Sequence, residues 1–535
     1  MIPSAPRRDT QGRSLAERLT LVGLGCLFFA YAYWLSRAFG KSSDQANLLL
    51  AGVDMLHGNW RLRGWSMVAD SYWTTDVALG ALLSGLRWAV GLPEVSPLTL
   101  VLQPALSWAA LVMAAIVIAQ QDAGSPARRW SAALVVLAAL GVPVMREAGV
   151  APLAFLSGIH ILTILCALLA FLAGRAALIG PDARWALAAC AAFVVLGAAG
   201  DPLMVFIGIV PLLAAIPFAR AIRPSRRVML AVVVATAALL ARIVIRANAA
   251  TGGFTVAGLP LEFARFDDLG SNLGVALHGV LAAFSADFTD RPVAAAVPDV
   301  AHLPVLLLAG SLTGLWLARL LRSVSARRFG EYDLMALCLA LGTAIDFAAL
   351  VFSRRVEYEH ASLATARYLF PAWAFASTLL ARQAAGMLTV RLGSAAALAT
   401  ALAFNRGPIG EASFPALSRG EAALLDALDR QPVRVGLAGY WQAALLQVAS
   451  RNRLRLEACI ADASGQLVPM RNANKVFAVS DIAAGDFVVV VLTPRLYFDA
   501  ADTVRSFGPP ARTQTLPGFT LMFYHGRPPP VRVPG

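Results

Sequence analysis

Long apolar runs alternate with short basic segments along the chain. The apolar runs fall at roughly 19–38, 77–92, 97–119, 131–147, 152–174, 185–200, 202–219, 228–245, 301–320, 333–353, 366–383 and 386–404. A helix needs about 20 apolar residues to cross the hydrocarbon core, so each run is a candidate span. Arginines set the side of each connector, because basic loops stay in the cytoplasm. Arg128 and Arg129, Arg175 and Arg184, Arg220 to Arg227, and Arg322 to Arg328 all satisfy this under strict alternation. Working back from Arg128, the run 97–119 enters from outside, where the first span has already left the chain. The run 77–92 is short and holds Arg87, so it reads as a juxtamembrane or re-entrant helix. About eleven crossings remain.

Two outside segments, 39–96 and 246–300, are then long, and long structured loops carry function. The pattern changes near Asn405. Glu421 to Leu428 and Ala443 to Val448 read as helices, while Val433 to Leu437 and Leu454 to Ala458 read as strands. Phe487 to Leu492 has the continuous β-branched character of a buried parallel strand, and Thr520 to Tyr524 reads as a last edge strand. The expected layout is a cytoplasmic N-terminus (1–18), a membrane domain (19–404), a small soluble α/β domain (405–525) and a disordered proline-rich tail (526–535). The basic N-terminus before the first run resembles a signal peptide, but the run is long enough to remain as a span.

Composition agrees with lipid as part of the solvent. The 535 residues are 58% hydrophobic and 14% charged, where soluble domains carry about 25% charged residues. The net charge of +13 sits in the connectors rather than in a basic stripe with interleaved aromatics, which excludes nucleic acid and fits anionic headgroups. No CxxC, HxxxH or HExxH spacing occurs, so neither a disulfide framework nor a zinc site is expected, and GxGxxG is absent.

Candidate chemistry concentrates after the first span, in Ser42-Ser43-Asp44-Gln45-Ala46-Asn47 and on to Asp54, His57 and Gly58. A helix from an N-cap at Ser43 to a C′ glycine at Gly58 places Asp44, Asn47 and Asp54 on one face. Asp44 is either the helix cap or a carboxylate that takes a proton from an attacking hydroxyl. Asp70 and Asp76 either orient substrate or cap the next helix, Glu147 is either a second acidic site residue or the partner of Arg146 at a helix end, and Asp201 is either such a residue or the cap of a helix before Pro202. Arg354 and Arg355, with Arg367-Tyr368 and Pro371 further on, lie outside against the positive-inside bias. They either clamp a lipid phosphate or pair with Glu357 and Glu359. Tyr440 and Trp441 suit packing or a carbohydrate face.

Asp44-Gln45-Ala46, then Gly58-Asn59-Trp60, then Tyr72-Trp73 resembles the C-type membrane glycosyltransferase superfamily, notably the bacterial aminoarabinose transferases and the protein O-mannosyltransferases. The family often carries Asp-Glu where this chain has Asp44-Gln45. The resemblance implies Asp44 as the base and Arg367-Tyr368 near the donor phosphate, and Arg354, Arg355, Asp76 and Asp54 are expected as further substrate contacts from their positions in the chain. It implies inverting transfer of a sugar from a polyprenyl-phosphate donor to a hydroxyl of a lipid or glycan acceptor. The expected place is a bacterial inner membrane, with the site and the C-terminal domain outside the cytoplasm. A divalent metal assists some members, but this chain offers no ligand set, so no cofactor is expected. The alternatives are a transporter or flippase of a lipid-linked substrate, with Asp346 and Arg242 on its path, and a non-catalytic protein of the same fold.

Overall fold

The computed structural model describes residues 14–526 apart from Gly40, Ala69, 147–149, 220–221, 257–261, 290–291, 326–332, 359–362, 411–416, 472–473 and 476–485. Glu147 and the tail from 527 on therefore lie outside the described residues. The first helix, α1 (Leu15–Arg37), starts at a capping box made by Ser14 and Glu17. Helix α2 (Ser43–Leu56) starts at a second box, in which Ser42 caps and Gln45 reciprocates. The N-cap is thus one residue earlier than the sequence predicts, and Gly58 does occupy the left-handed position after the cap, at φ 93°.

Helix α3 (Ala78–Ala89) has 12 residues. At about 1.5 Å per residue it is roughly 18 Å long and cannot cross a 30 Å core. It buries Gly80, Ala81 and Ser84 and leaves Leu82, Leu86 and Trp88 exposed, as a helix lying at a bilayer surface would. It meets α2 at Gly52, where any Cβ would come within 2.6 Å of the Ala81 amide nitrogen.

Among the described residues, eight helices are long and apolar enough to cross a membrane. They are α1, α4 (Pro97–Ala119), α6 (Ile161–Ile179), α7 (Ala183–Gly200), α9 (Pro224–Ala250), α11 (Val293–Ser325), α12 (Leu334–Phe352) and α15 (Leu388–Gly410). Three shorter apolar pieces coincide with the remaining predicted crossings. These are α5 (Pro126–Val136) with the turn that extends it to Gly141, the segment Val205–Phe218 around α8 (Val210–Ala215), and α14 (Phe370–Ala384). Helices α10 (Leu269–Ala283) and α13 (Arg355–Tyr358) lie in connectors. Trp108 of α4 packs against Phe155 and Trp373 at ring separations of 5.7 and 5.4 Å, in the centre of the membrane core.

The arginine-rich connectors meet at one end of the bundle. Arg129 pairs with Glu17, and Arg175 with Asp122. The nearly buried guanidinium of Arg382 joins Asp122 and Asp333, at 2.6 and 2.8 Å, to the carbonyls of Ile118 and Gln121. Removing one partner of such a network strands the others. Arg382→Met is expected to lower stability by about 3–5 kcal/mol, read as thermal unfolding in detergent, without changing ligand binding at the opposite end.

The opposite end holds the first long loop. Lys41, between α1 and α2, donates to Ser36 Oγ and to the Phe155 carbonyl, at 3.1 and 3.3 Å. Burial lowers its pKa to about 7. From there up to the ordinary lysine value, the unfolded chain holds a proton that the folded chain lacks, so stability rises with pH across that window. Lys41→Met should abolish this rise, which thermal unfolding of both proteins between pH 7 and 10 measures.

The first element of the C-terminal domain is α16 (Arg419–Asp429), and α15 continues to Gly410. A three-stranded sheet ties the membrane loops to this domain. β1 (Trp65–Met67) pairs with β2 (Thr255–Val256) and with β6 (Asn474–Lys475). The main sheet runs β5 (Leu467–Pro469), β4 (Arg455–Ala461), β3 (Val435–Ala438), β7 (Phe487–Leu492), β9 (Phe519–Tyr524), β8 (Arg512–Leu516). β3 is parallel to both β4 and β7, so Phe487 to Leu492 is the buried parallel strand that its composition predicts. β9 is not the edge. The polar strand β8 covers it, and the Arg-Thr-Gln-Thr stretch of β8 has no apolar period to reveal it. Helices α17 (Tyr440–Ala449) and α18 (Ala500–Phe507) complete the domain.

Candidate active site

The capping box frees Asp44 from the capping role. Ser42 supplies the cap, and Gln45 reaches back to the Ser42 amide while its Nε2 donates to the Leu100 carbonyl at 3.4 Å. The glutamine that departs from the Asp-Glu pattern is thus a structural residue. Asp44 lies in the first turn of α2 with its carboxylate turned to other partners. Its Oδ1 accepts a hydrogen bond from the Tyr440 hydroxyl. Burial pushes the Asp44 pKa above its ordinary value, while that hydrogen bond and the charge of Arg367 pull it back.

Arg367 and Tyr368 end a tight helical segment, Leu363–Leu369, that feeds α14. Both Arg355 and Arg367 donate to the Tyr368 hydroxyl, from Nε at 2.9 Å and from Nη2 at 3.1 Å, and both lie over its ring. Two guanidiniums that converge on one hydroxyl repel each other. The nearby carboxylates offset this. Arg355 is 3.8 Å from Asp70, and burial and the charge of Asp201 raise the Asp70 pKa, while His160, Arg355 and Arg367 lower it.

Beside Tyr368, at a ring separation of 5.2 Å, lies His160. Its Nδ1 is 2.7 Å from Asp201 Oδ2, which also accepts from Thr163, and Asp201 Oδ1 accepts the Leu203 amide at 2.9 Å. Asp201 therefore does cap the turn after Pro202, and it orients an imidazole as well. His160 and Tyr72 both adopt the left-handed conformation, at φ 60° and 51°. Such strain in non-glycine residues is characteristic of functional sites. Asp76 is buried and accepts the Gly158 amide at 3.1 Å, so it pins the loop that carries His160 rather than capping a helix.

Asp70, His160 and Asp201 bring ligand atoms within 4.8 Å of one another, the spacing of a metal site. Their partners fit a cation poorly. Both Asp201 oxygens already accept hydrogen bonds, and Arg355 stands at Asp70.

Two of the sequence-predicted contacts lie elsewhere. Arg354 pairs with Glu262 and Glu357, whereas Arg355 and Arg367 meet at Tyr368. Asp54 is ten residues from Asp44 on the same helix, roughly 15 Å along its axis. It accepts from Trp65, Asn59 and Lys475, which together outweigh burial and hold its pKa low. That carboxylate joins α2 to β1 and β6 and lines a separate cavity of about 310 Å³ between α2 and the C-terminal domain, with Asn47, Glu94 and Gln447.

The Asp201–His160 pair, whose members are 41 residues apart, has no signature in the sequence. Nor does the contact of Tyr440 with Asp44, 396 residues away. The only local signal was the Ser157-Gly158 turn before His160, with Gly158 at φ 75°.

No protein-family model matches the chain, and no curated protein does. The chain is similar in structure to ArnT from Cupriavidus metallidurans in the apo state, over 94% of this chain and 98% of that one, at 14% identity and a TM-score of 0.40. A likeness that loose carries no weight in assigning the site.

Proposed function

We propose that this protein is a membrane glycosyltransferase that moves a sugar from a polyprenyl-phosphate donor to an acceptor hydroxyl at the non-cytoplasmic face. The observation that supports this reading is the convergence of Arg355 and Arg367 on the Tyr368 hydroxyl at the start of a late span, with the Asp44 carboxylate, from just after the first span, within electrostatic reach of Arg367. A carboxylate near a guanidinium that is itself one of a pair suits glycosyl transfer from a phosphate, which needs a base and a cation at one site. Asp44 takes the proton of the acceptor hydroxyl as its oxygen attacks the anomeric carbon. The bond from that carbon to the phosphate oxygen breaks, and the phosphate leaves with the electron pair. Arg355 and Arg367 stabilise the charge that grows there, which is where preorganised cations act most strongly. One displacement inverts the anomeric centre. The basic connectors gather at the opposite end of the bundle, which supports a site facing away from the cytoplasm.

Full-length protein in vesicles, given polyprenyl-phosphate sugars, tests the reading. Acceptor-dependent release of polyprenyl phosphate is expected, and transport of intact donor across the bilayer without release would contradict it. The transporter reading is the weaker one on the positions of its residues. Asp346 accepts the Ala372 amide at 2.9 Å and so caps the start of α14, which has no cap of its own. Arg242 lies on the exposed face of α9 rather than on an internal path.

A further inference from the structure

The partner that Asp44 takes in this structure comes from the C-terminal domain, which no part of the reaction scheme uses. Tyr440 is the first residue of α17, directly after Gly439. Its ring is buried, at 2% exposure, and its hydroxyl donates to Asp44 Oδ1. The neighbouring contact is also polar and specific: Ser43 Oγ donates to the Trp441 carbonyl at 2.7 Å. Behind these two bonds, Ala444, Leu445 and Val448 of α17 pack on Ala46, Leu49 and Val53 of α2 in one buried cluster. Burial of side chains such as Leu445 and Val448 keeps the start of α17 against the start of α2. Gly439 belongs to the same fit, since a Cβ there would come within 2.8 Å of the Tyr497 ring.

We infer that Tyr440 is a positioning residue for Asp44 and that the C-terminal domain thereby completes the catalytic centre. This rests on the reading of Asp44 as the base. The carboxylate has two oxygens. Tyr440 holds one, which fixes the rotamer and leaves the second to receive the acceptor proton. The same bond favours the ionised form, in concert with Arg367 and against the burial of the site. The groups facing Asp44 are Tyr440 and Tyr497 from the C-terminal domain and Arg367 from the segment before α14. Only Arg367 among them carries charge at neutral pH.

The test uses the full-length protein in vesicles. The protonated-carboxyl infrared band that Asp44→Asn removes is followed through a pH titration, and release of polyprenyl phosphate from a polyprenyl-phosphate sugar is measured over the same range. In Tyr440→Phe the infrared midpoint and the acid limb of activity should both move up by about one pH unit, with kcat recovering toward wild type at high pH. Replacing Tyr440 by 3-fluorotyrosine, a stronger donor of the same shape, should move both the other way. Trp441→Phe, which alters the same interface but no hydroxyl, should move neither. Coincident midpoints for wild type, Tyr440→Phe and the fluorotyrosine protein would overturn the inference while leaving the base assignment intact. Full activity in Asp44→Asn, by contrast, overturns the base assignment itself. If Tyr440→Phe does not accumulate, the fluorotyrosine shift alone decides.

Discussion

Asp44→Asn is expected to slow sugar transfer by about 10²- to 10⁴-fold, with normal protein abundance and unchanged binding of polyprenyl phosphate. Asparagine keeps the size of the side chain, and its carbonyl can still accept the Tyr440 hydroxyl. The helix start is also undisturbed, because Ser42 and Gln45, not Asp44, form the capping box. What is lost is the ability to take a proton. The wild-type pH profile should carry the same signature. Burial lifts the Asp44 pKa above its ordinary value, so activity should fall, as pH drops, through a limb above the ordinary carboxylate range. Transfer at the wild-type rate in Asp44→Asn, in protein of normal abundance, removes the proposed base.

Arg367→Ala should lose about 10²- to 10³-fold in kcat and should also weaken binding of polyprenyl phosphate. Arg367 acts on two groups at once. In the proposed scheme its guanidinium faces the departing phosphate, and its charge lowers the Asp44 pKa. Its removal should therefore raise the Asp44 pKa and shift the acid limb upward, a change that loss of phosphate binding alone would not produce. Lysine at 367 restores the charge but not the planar fork, so only part of the rate should return. Arg354→Ala makes the contrast, since Arg354 is engaged by Glu262 and Glu357. Its steady-state rate should stay within a few-fold of wild type. Equal losses in Arg354→Ala and Arg367→Ala, measured by steady-state release, would show that the clamp has been misassigned.

Much of the architecture is legible in the chain. Apolar runs and arginine-bearing connectors suffice to place the spans, and they exclude α3 as a crossing before its length is known. The soluble domain is readable wherever strands are buried on both faces, as in Phe487 to Leu492. It is unreadable in β8, whose side chains are largely exposed and polar. The site divides in the same way. Asp44 and Arg367-Tyr368 stand out because a polar cluster after a span and arginines on the wrong side both violate local rules. Arg354 and Arg355 violate them equally, and only tertiary contacts separate the ion-paired residue from the one beside Tyr368. Asp54 shares a helix face with Asp44, yet helical rise alone takes it out of reach. Tyr440 and the His160–Asp201 pair form through long-range closure, on which local pattern is silent.

The central claim is that Asp44 and the Arg355–Arg367 pair border one phosphate-sugar site. A cryo-electron-microscopy map of the full-length protein with bound polyprenyl phosphate tests it directly. The account predicts phosphate density within hydrogen-bond distance of Arg367, on the side of the cleft that Asp44 faces. Density for the phosphate at the opposite end of the bundle, around Arg128 and Arg382, with none beside Arg367, would contradict it.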